Sequence, residues 1–165
     1  DGPVVEAVSG SQAGRDHPEV VGRRGGDRRV GQGRSAGERH RGVAVDLPAD
    51  LRSIEQGSFS DGVVPHGRDA ASGPHGCRHG INDYTGWFAG DEDMEGDYYG
   101  YDGPCPPWND SLMHHYVFTI YALDVERLDV DGRFTGADVR SAVVGHILDT
   151  ATLEGTYTLN PRLAG

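Results

Sequence analysis

The residues best suited to chemistry lie together, in the order Gly103-Pro104-Cys105-Pro106-Pro107 and then His114-His115-Tyr116. An imidazole titrates near neutrality and offers a hydrogen bond to an anion, and a phenol offers another. His114 and Tyr116 are two residues apart, so they share one face of any strand that contains both. Backbone N–H groups of a turn at Gly103 to Cys105 can add to such a donor set as an anion nest. The prolines pre-set the loop and lower the cost of ordering it on binding. His114 and Tyr116 could thus converge on one small anion, with the turn at Gly103 to Cys105 as its rim. A second chemistry uses the same residues: Cys105 as nucleophile with His114 as its base, giving a hydrolase. No third orienting group or oxyanion motif accompanies that pair, and the expectation is a binding protein, not an enzyme.

Other candidates carry less. Asp91, Asp93, Glu95, Gly96 and Asp102 match the ligand positions of a calcium loop, but the flanks "GWFAG" and "GPCPP" cannot be helices. This acidic run reads as a solvated insertion. His66, His75 and His79 lack the paired spacing of a zinc site. His115 reads as a strand-edge histidine bonded to backbone, and His146 as a satisfied core histidine. No metal and no cofactor are expected.

These residues need elements to hold them. Tyr116 to Asp124 is the strongest strand pattern, with aromatic and β-branched side chains on both parities, which suits burial on both faces. Extended back to His114, it places His114, Tyr116, Phe118, Ile120 and Ala122 on one face and His115, Val117, Thr119, Tyr121 and Leu123 on the other. Val43 to Leu47 reads as a short strand ended by Pro48. "TGADVRSAVVGHIL" reads as a helix, with Thr135 as N-cap, Asp138 closing a capping box, and Val139, Ala142, Val143 and Ile147 as its buried stripe. "EGTYTLNP" reads as a last strand stopped by Pro161. The fold class is mostly β with a C-terminal helix.

The 165 residues suit one domain with a single core. The net charge of −11 argues against a nucleic-acid surface. No apolar run approaches membrane-spanning length and no export pattern opens the chain, so a soluble, cytoplasmic protein is expected. Residues 1–42 contain ten Gly and eight Arg but no Leu, Ile, Met, Phe, Tyr, Trp or Cys. Such a segment buries too little to offset chain entropy. It reads as disordered or translated out of frame, with the folded domain at 43–165. An Arg-Gly tail for RNA is disfavoured because no aromatics are interleaved for base stacking.

"GINDYTGWF", "GYDGPCPPWNDSLMHHYVFTIYALD" and "TGADVRSAVVGHILDTATLEGTYTLNP" resemble, in this order, the phosphatidylethanolamine-binding protein family, in its bacterial Raf-kinase-inhibitor-like branch. The resemblance runs from about Val43 to Asn160. It implies a β-sandwich, incomplete here at its N-terminus, with a pocket for a small anionic ligand or phospholipid headgroup and control of a protein partner such as a kinase. The family's pocket His falls on His114, its Tyr on Tyr116 and its Gly-x-Pro-Pro loop on Gly103, Pro104, Cys105, Pro106 and Pro107, which the resemblance implies line the pocket, while its intervening Arg is replaced by His115. Its Asp-Pro-Asp-x-Pro motif has no counterpart in residues 1–42. Where its His-Trp pair belongs, this chain reads Arg41-Gly42. A truncated or frame-disturbed product without a competent site is therefore a further alternative.

Overall fold

The computed structural model describes residues 4–13, 39–60, 62, 64–68, 72–106 and 111–163. Its framework is one five-stranded sheet in the order β3-β2-β1-β4-β5, in which every neighbouring pair is antiparallel. The strands are β1 (Val4–Ala13), β2 (Arg39–Leu47), β3 (Arg78–His79), β4 (His114–Leu123) and β5 (Ile147–Tyr157). Two short helices, α1 (Tyr84–Trp87) and α2 (Gly136–Ala142), lie between strands in the chain.

The boundary expected at residue 42 falls inside β2, and β1 is the central strand of the sheet. In β1, β-branched Val4, Val5 and Val8 and ladder bonds from a strand on each side favour an extended run. For the rest, the expectation of a disordered or out-of-frame segment falls on residues 1–3 and 14–38, which lie outside the described residues.

The main core fills one side of the sheet. Val43 and Val45 of β2 and Leu123 of β4 pack against Leu128, Val130, Phe134, Val139 and Val143. A smaller cluster joins Ala44, Leu47 and Cys77, so β2 alternates between the two. Asp46 interrupts that alternation with φ of 61°. Its carboxylate accepts from Arg78 Nε at 2.5 Å and from Leu128 N at 2.9 Å, tying β2 to β3 and to the loop after β4. Arg78 also donates to the Leu128 carbonyl at 2.9 Å and to that of Val130.

The capping box of α2 forms as expected. Thr135 N donates to Asp138 Oδ2 at 2.8 Å while Asp138 N donates back to Thr135 Oγ1. These bonds to backbone hold the Asp138 carboxyl below its ordinary pKa. The helix is shorter than expected and is not the last element. It ends at Ala142, a turn with Gly145 at φ +88° follows, and β5 begins at Ile147. Val139 and Val143 are buried, but Ile147 is exposed and His146 Nδ1 pairs with Asp124 Oδ1 at 2.8 Å outside the core. The final strand therefore starts well before Glu154. It is exposed along its whole length, and in β4 only Tyr116 and Leu123 are fully buried. Burial on both faces of β4 does not hold among the described residues, because an open cleft adjoins Phe118 and Ile120. No second sheet is formed by the named strands among these residues.

Candidate functional site

The site is assembled around Asn82, within the "GINDYTGWF" stretch. Its side chain is fully buried and makes three bonds. Nδ2 donates to Gly100 O at 3.0 Å and to Asp102 Oδ2 at 2.7 Å, and Oδ1 accepts from Tyr84 N at 2.9 Å. Next to it, Asp83 Oδ2 accepts from His40 N at 2.8 Å and Asp83 N donates to His40 O at 2.9 Å. A third tie runs from Asp102 N to Arg41 O at 3.4 Å. These bonds clamp three segments at one end of the sheet: the start of β2, the start of α1 and the loop that leads into Gly103-Pro104-Cys105-Pro106. Asp102 is thereby committed to Asn82 and to Arg68 at 3.6 Å, and Asp91 Oδ1 caps Asp93 N and Met94 N. The acidic run is a folded loop. Among the described residues no group of three or more His, Cys, Asp or Glu is arranged to hold a metal.

Arg41 projects into this clamp. It is only 5% exposed, and its Cζ lies 4.3 Å from the centre of the Tyr84 ring and 5.5 Å from that of Trp87. Its Nε and Nη1 make no hydrogen bond, and no carboxylate pairs with it among the described residues. The buried hydroxyls of Tyr84 and Tyr116 also lack hydrogen bonds. A buried cation and two buried phenols thus converge without an acceptor among the described residues, although such groups ordinarily find partners.

The electrostatics of the surrounding tyrosines follow from the same geometry. Burial raises Tyr84 and Tyr116 above the ordinary phenol value, Arg41 opposes the rise in both, and Cys105 adds to it. Tyr101 is pushed up to about 12, by burial first and then by Tyr116, again against Arg41. The Cys105 sulfur is near enough to the Tyr84 hydroxyl to act on it, but not in hydrogen-bonding geometry. The phenols therefore stay protonated, as donors, throughout the physiological range.

The residues expected from sequence take up the following places. Tyr116 is buried in the cluster. His114 opens β4, half-buried, opposite Ala13 and Tyr157, on the strand parity of Tyr116. Gly103 turns the loop with φ of +78°, Pro104 and Cys105 are exposed, and Pro106 is buried. Pro107 lies outside the described residues. Cys77 and Cys105 are both free thiols, and burial pushes Cys77 up to about 11. His115 faces the other way, its Nδ1 paired with Glu154 Oε1 at 2.5 Å across to β5, where a backbone partner was expected. Arg41 and Tyr84 were not singled out from sequence. The signal for Arg41 was its place beside Gly42, where the resembled family has its His-Trp pair.

A cleft of about 690 Å³ opens beside this cluster on the Phe118 face of the sheet. Tyr101 stands between the two. Its ring meets Phe118 edge-on at 5.5 Å, and Gly42 passes so close that a Cβ there would lie 2.7 Å from Tyr101 Cβ. Only glycine lets the strand run under that ring.

A family model described as phosphatidylethanolamine-binding protein matches residues 30–158. The chain is 34% identical over 116 residues to the UPF0098 protein YbhB of Escherichia coli, an alignment covering 70% of this chain and 60% of that relative. It is 36% identical over 115 residues to a UPF0098 protein of Methanothermobacter thermautotrophicus, with the same coverage of each chain. It therefore spans about three fifths of the length of these relatives. Among solved structures, it is similar in fold to E. coli YbcL, described as a new member of the mammalian PEBP family. The TM-score is 0.59 at 20% identity, covering 95% of this chain and 72% of the other. No helix among the described residues is long and apolar enough to cross a membrane.

Proposed function

Because this chain belongs to the phosphatidylethanolamine-binding protein family, we propose that the end of its sheet captures a small anion, phosphate or a phosphorylated headgroup. The single supporting observation is the buried Arg41 guanidinium with Nε and Nη1 unbonded beside the unbonded hydroxyls of Tyr84 and Tyr116. A guanidinium matches a tetrahedral oxyanion through two N–H groups, and charge-assisted bonds of this kind are the strong ones. The anion would satisfy four buried donors together and neutralise a buried charge. In this reading His114, from the head of β4, and the Gly103–Pro106 turn form the rim, and Arg41 is the principal ligand. No bond is made or broken, so the function is binding. Control of a partner protein would follow from occupancy of the same pocket, which lies at one end of the sheet.

Calorimetric titration with inorganic phosphate and with phosphoethanolamine tests this reading. The wild-type chain binds both. Tyr116→Phe weakens binding by roughly tenfold or more, the worth of one hydrogen bond to a charged group. Arg41→Met reduces it by about 100-fold or more, as expected for a buried charge pair. A wild-type chain that gives no heat at saturating phosphate, or an Arg41→Met chain that binds as the wild type does, rejects it.

A further inference from the structure

We propose that the anion bound at Arg41 carries an alkyl chain, and that the adjoining cleft holds this chain, so that the ligand is a single-chain amphiphile of the alkyl phosphate type. This inference rests on the reading of the Arg41 pocket given above and adds a second subsite to it.

The cleft floor is continuous with the pocket. Tyr116, Phe118 and Ile120 follow one another on the same face of β4, spanning about 13 Å at the ordinary strand rise. Tyr116 belongs to the anion pocket, and Phe118 and Ile120 line the cleft. Tyr101 forms a wall shared by both. Across the cleft stand Ile54 and Phe59, from the segment after β2, and Leu153 from β5. Ile54 is 43% exposed and Leu153 69% exposed, so apolar surface faces solvent from both walls.

The chemistry of the lining gives the ligand a direction. Among the described residues that line the cleft, Glu55 is the only acidic or basic side chain, and the other polar groups are Gln56, Ser60, Thr152 and the Tyr101 hydroxyl. None of these described residues is a cation that could pair with an anion, whereas Arg41 lies next in the chain to Gly42 of the lining. A headgroup belongs at the Arg41 end and hydrocarbon in the cleft. An alkyl chain satisfies both features, since it has no donors or acceptors to leave unpaired among these walls. Each methylene removed from water is worth about 0.8 kcal/mol, about fourfold in affinity, until the chain outruns the floor.

The test is calorimetry with inorganic phosphate, butyl, hexyl and octyl phosphate, and octanol, on the wild type and on Leu153→Asp and Ile54→Asp. Both substitutions are at exposed positions away from the main core, and neither residue belongs to the anion pocket. Affinity is expected to climb along the phosphate series by up to about fourfold per methylene. Octanol should bind more weakly than octyl phosphate. Both variants should lose the chain-length gain while keeping the wild-type affinity for inorganic phosphate. A flat series with phosphate still bound overturns the tail subsite and leaves the anion pocket standing. Chain-length gain that persists in both variants, or octanol binding as tightly as octyl phosphate, also overturns it. A dimer in sedimentation that Leu153→Asp dissolves would mean the cleft is covered by a second copy, again against the proposal. Failure of phosphate and of every alkyl phosphate to bind removes the pocket reading, and this one with it.

Discussion

Replacing Arg41 by Met separates a binding residue from a structural one. In the unliganded chain Arg41 leaves two buried donors without acceptors, each costing about 1–3 kcal/mol. Against this stand two cation–π contacts, with Tyr84 at 4.3 Å and Trp87 at 5.5 Å, worth about 1–2 kcal/mol each where water is excluded. Met keeps most of the apolar stem that packs between those rings and removes both the charge and the unpaired N–H groups. The balance favours the variant by about 1 kcal/mol, which in a chain of this size raises the midpoint by about 2–4 °C. Phosphate then reverses the ranking. At a hundred times its dissociation constant it stabilises the wild type by about 2.7 kcal/mol and the variant, bound about 100-fold more weakly, by about 0.4 kcal/mol or less. Urea or thermal denaturation of both proteins, with and without phosphate, measures all four quantities. An Arg41→Met chain that is less stable than the wild type by more than about 1 kcal/mol without ligand, yet gains as much from phosphate, refutes the reasoning and makes Arg41 a packing residue.

Asn82→Ala removes three side-chain bonds at once and leaves Gly100 O, Asp102 and Tyr84 N to find new partners. It should cost about 3 kcal/mol or more in urea denaturation and weaken phosphate binding, because the rim is no longer held. Gly136→Ala should destabilise by about 1–3 kcal/mol, against the usual gain from alanine in a helix, because its Cβ would lie 2.4 Å from His40 Cδ2. A neutral or stabilising result would contradict the packing of α2 on the start of β2. Alkaline titration gives a third check. Tyr101 ionises near 12 in the folded chain and near 10 when unfolded, so the folded state holds the extra proton between those values. Stability is fully present below pH 10 and falls as pH rises towards 12. Phenolate absorbance that shows Tyr101 ionising with the exposed tyrosines would contradict its burial.

What could be read in the sequence was local or strictly periodic. The Thr135 and Asp138 capping box depends on residues three apart and forms as read. The parity of His114, Tyr116, Phe118 and Ile120 is a property of any strand, and Phe118 and Ile120 do line one cleft while Tyr121 and Leu123 join the main core. The end of α2 was not legible. Val139, Ala142, Val143 and Ile147 satisfy a helical repeat, yet the turn at Gly145 breaks it and pairing with β4 claims Ile147 for β5. Arg41 was the larger miss. Its surroundings in sequence are Gly and Arg, which read as solvated chain. Its burial comes from Tyr84 and Trp87, more than forty residues away, brought over it by the Asp83 to His40 bonds. A contact of that range leaves no period in the sequence. Asp102, which matches a calcium-loop position by count, is spent on Asn82 and Arg68.

The most direct measurement is the NMR signal of the Arg41 Nε–H during titration with inorganic phosphate. Saturation should move it strongly downfield and slow its exchange with water, as the proton passes from no acceptor to a phosphate oxygen. A signal that stays in place while calorimetry shows phosphate bound would put the anion elsewhere and contradict the assignment of Arg41 as its ligand.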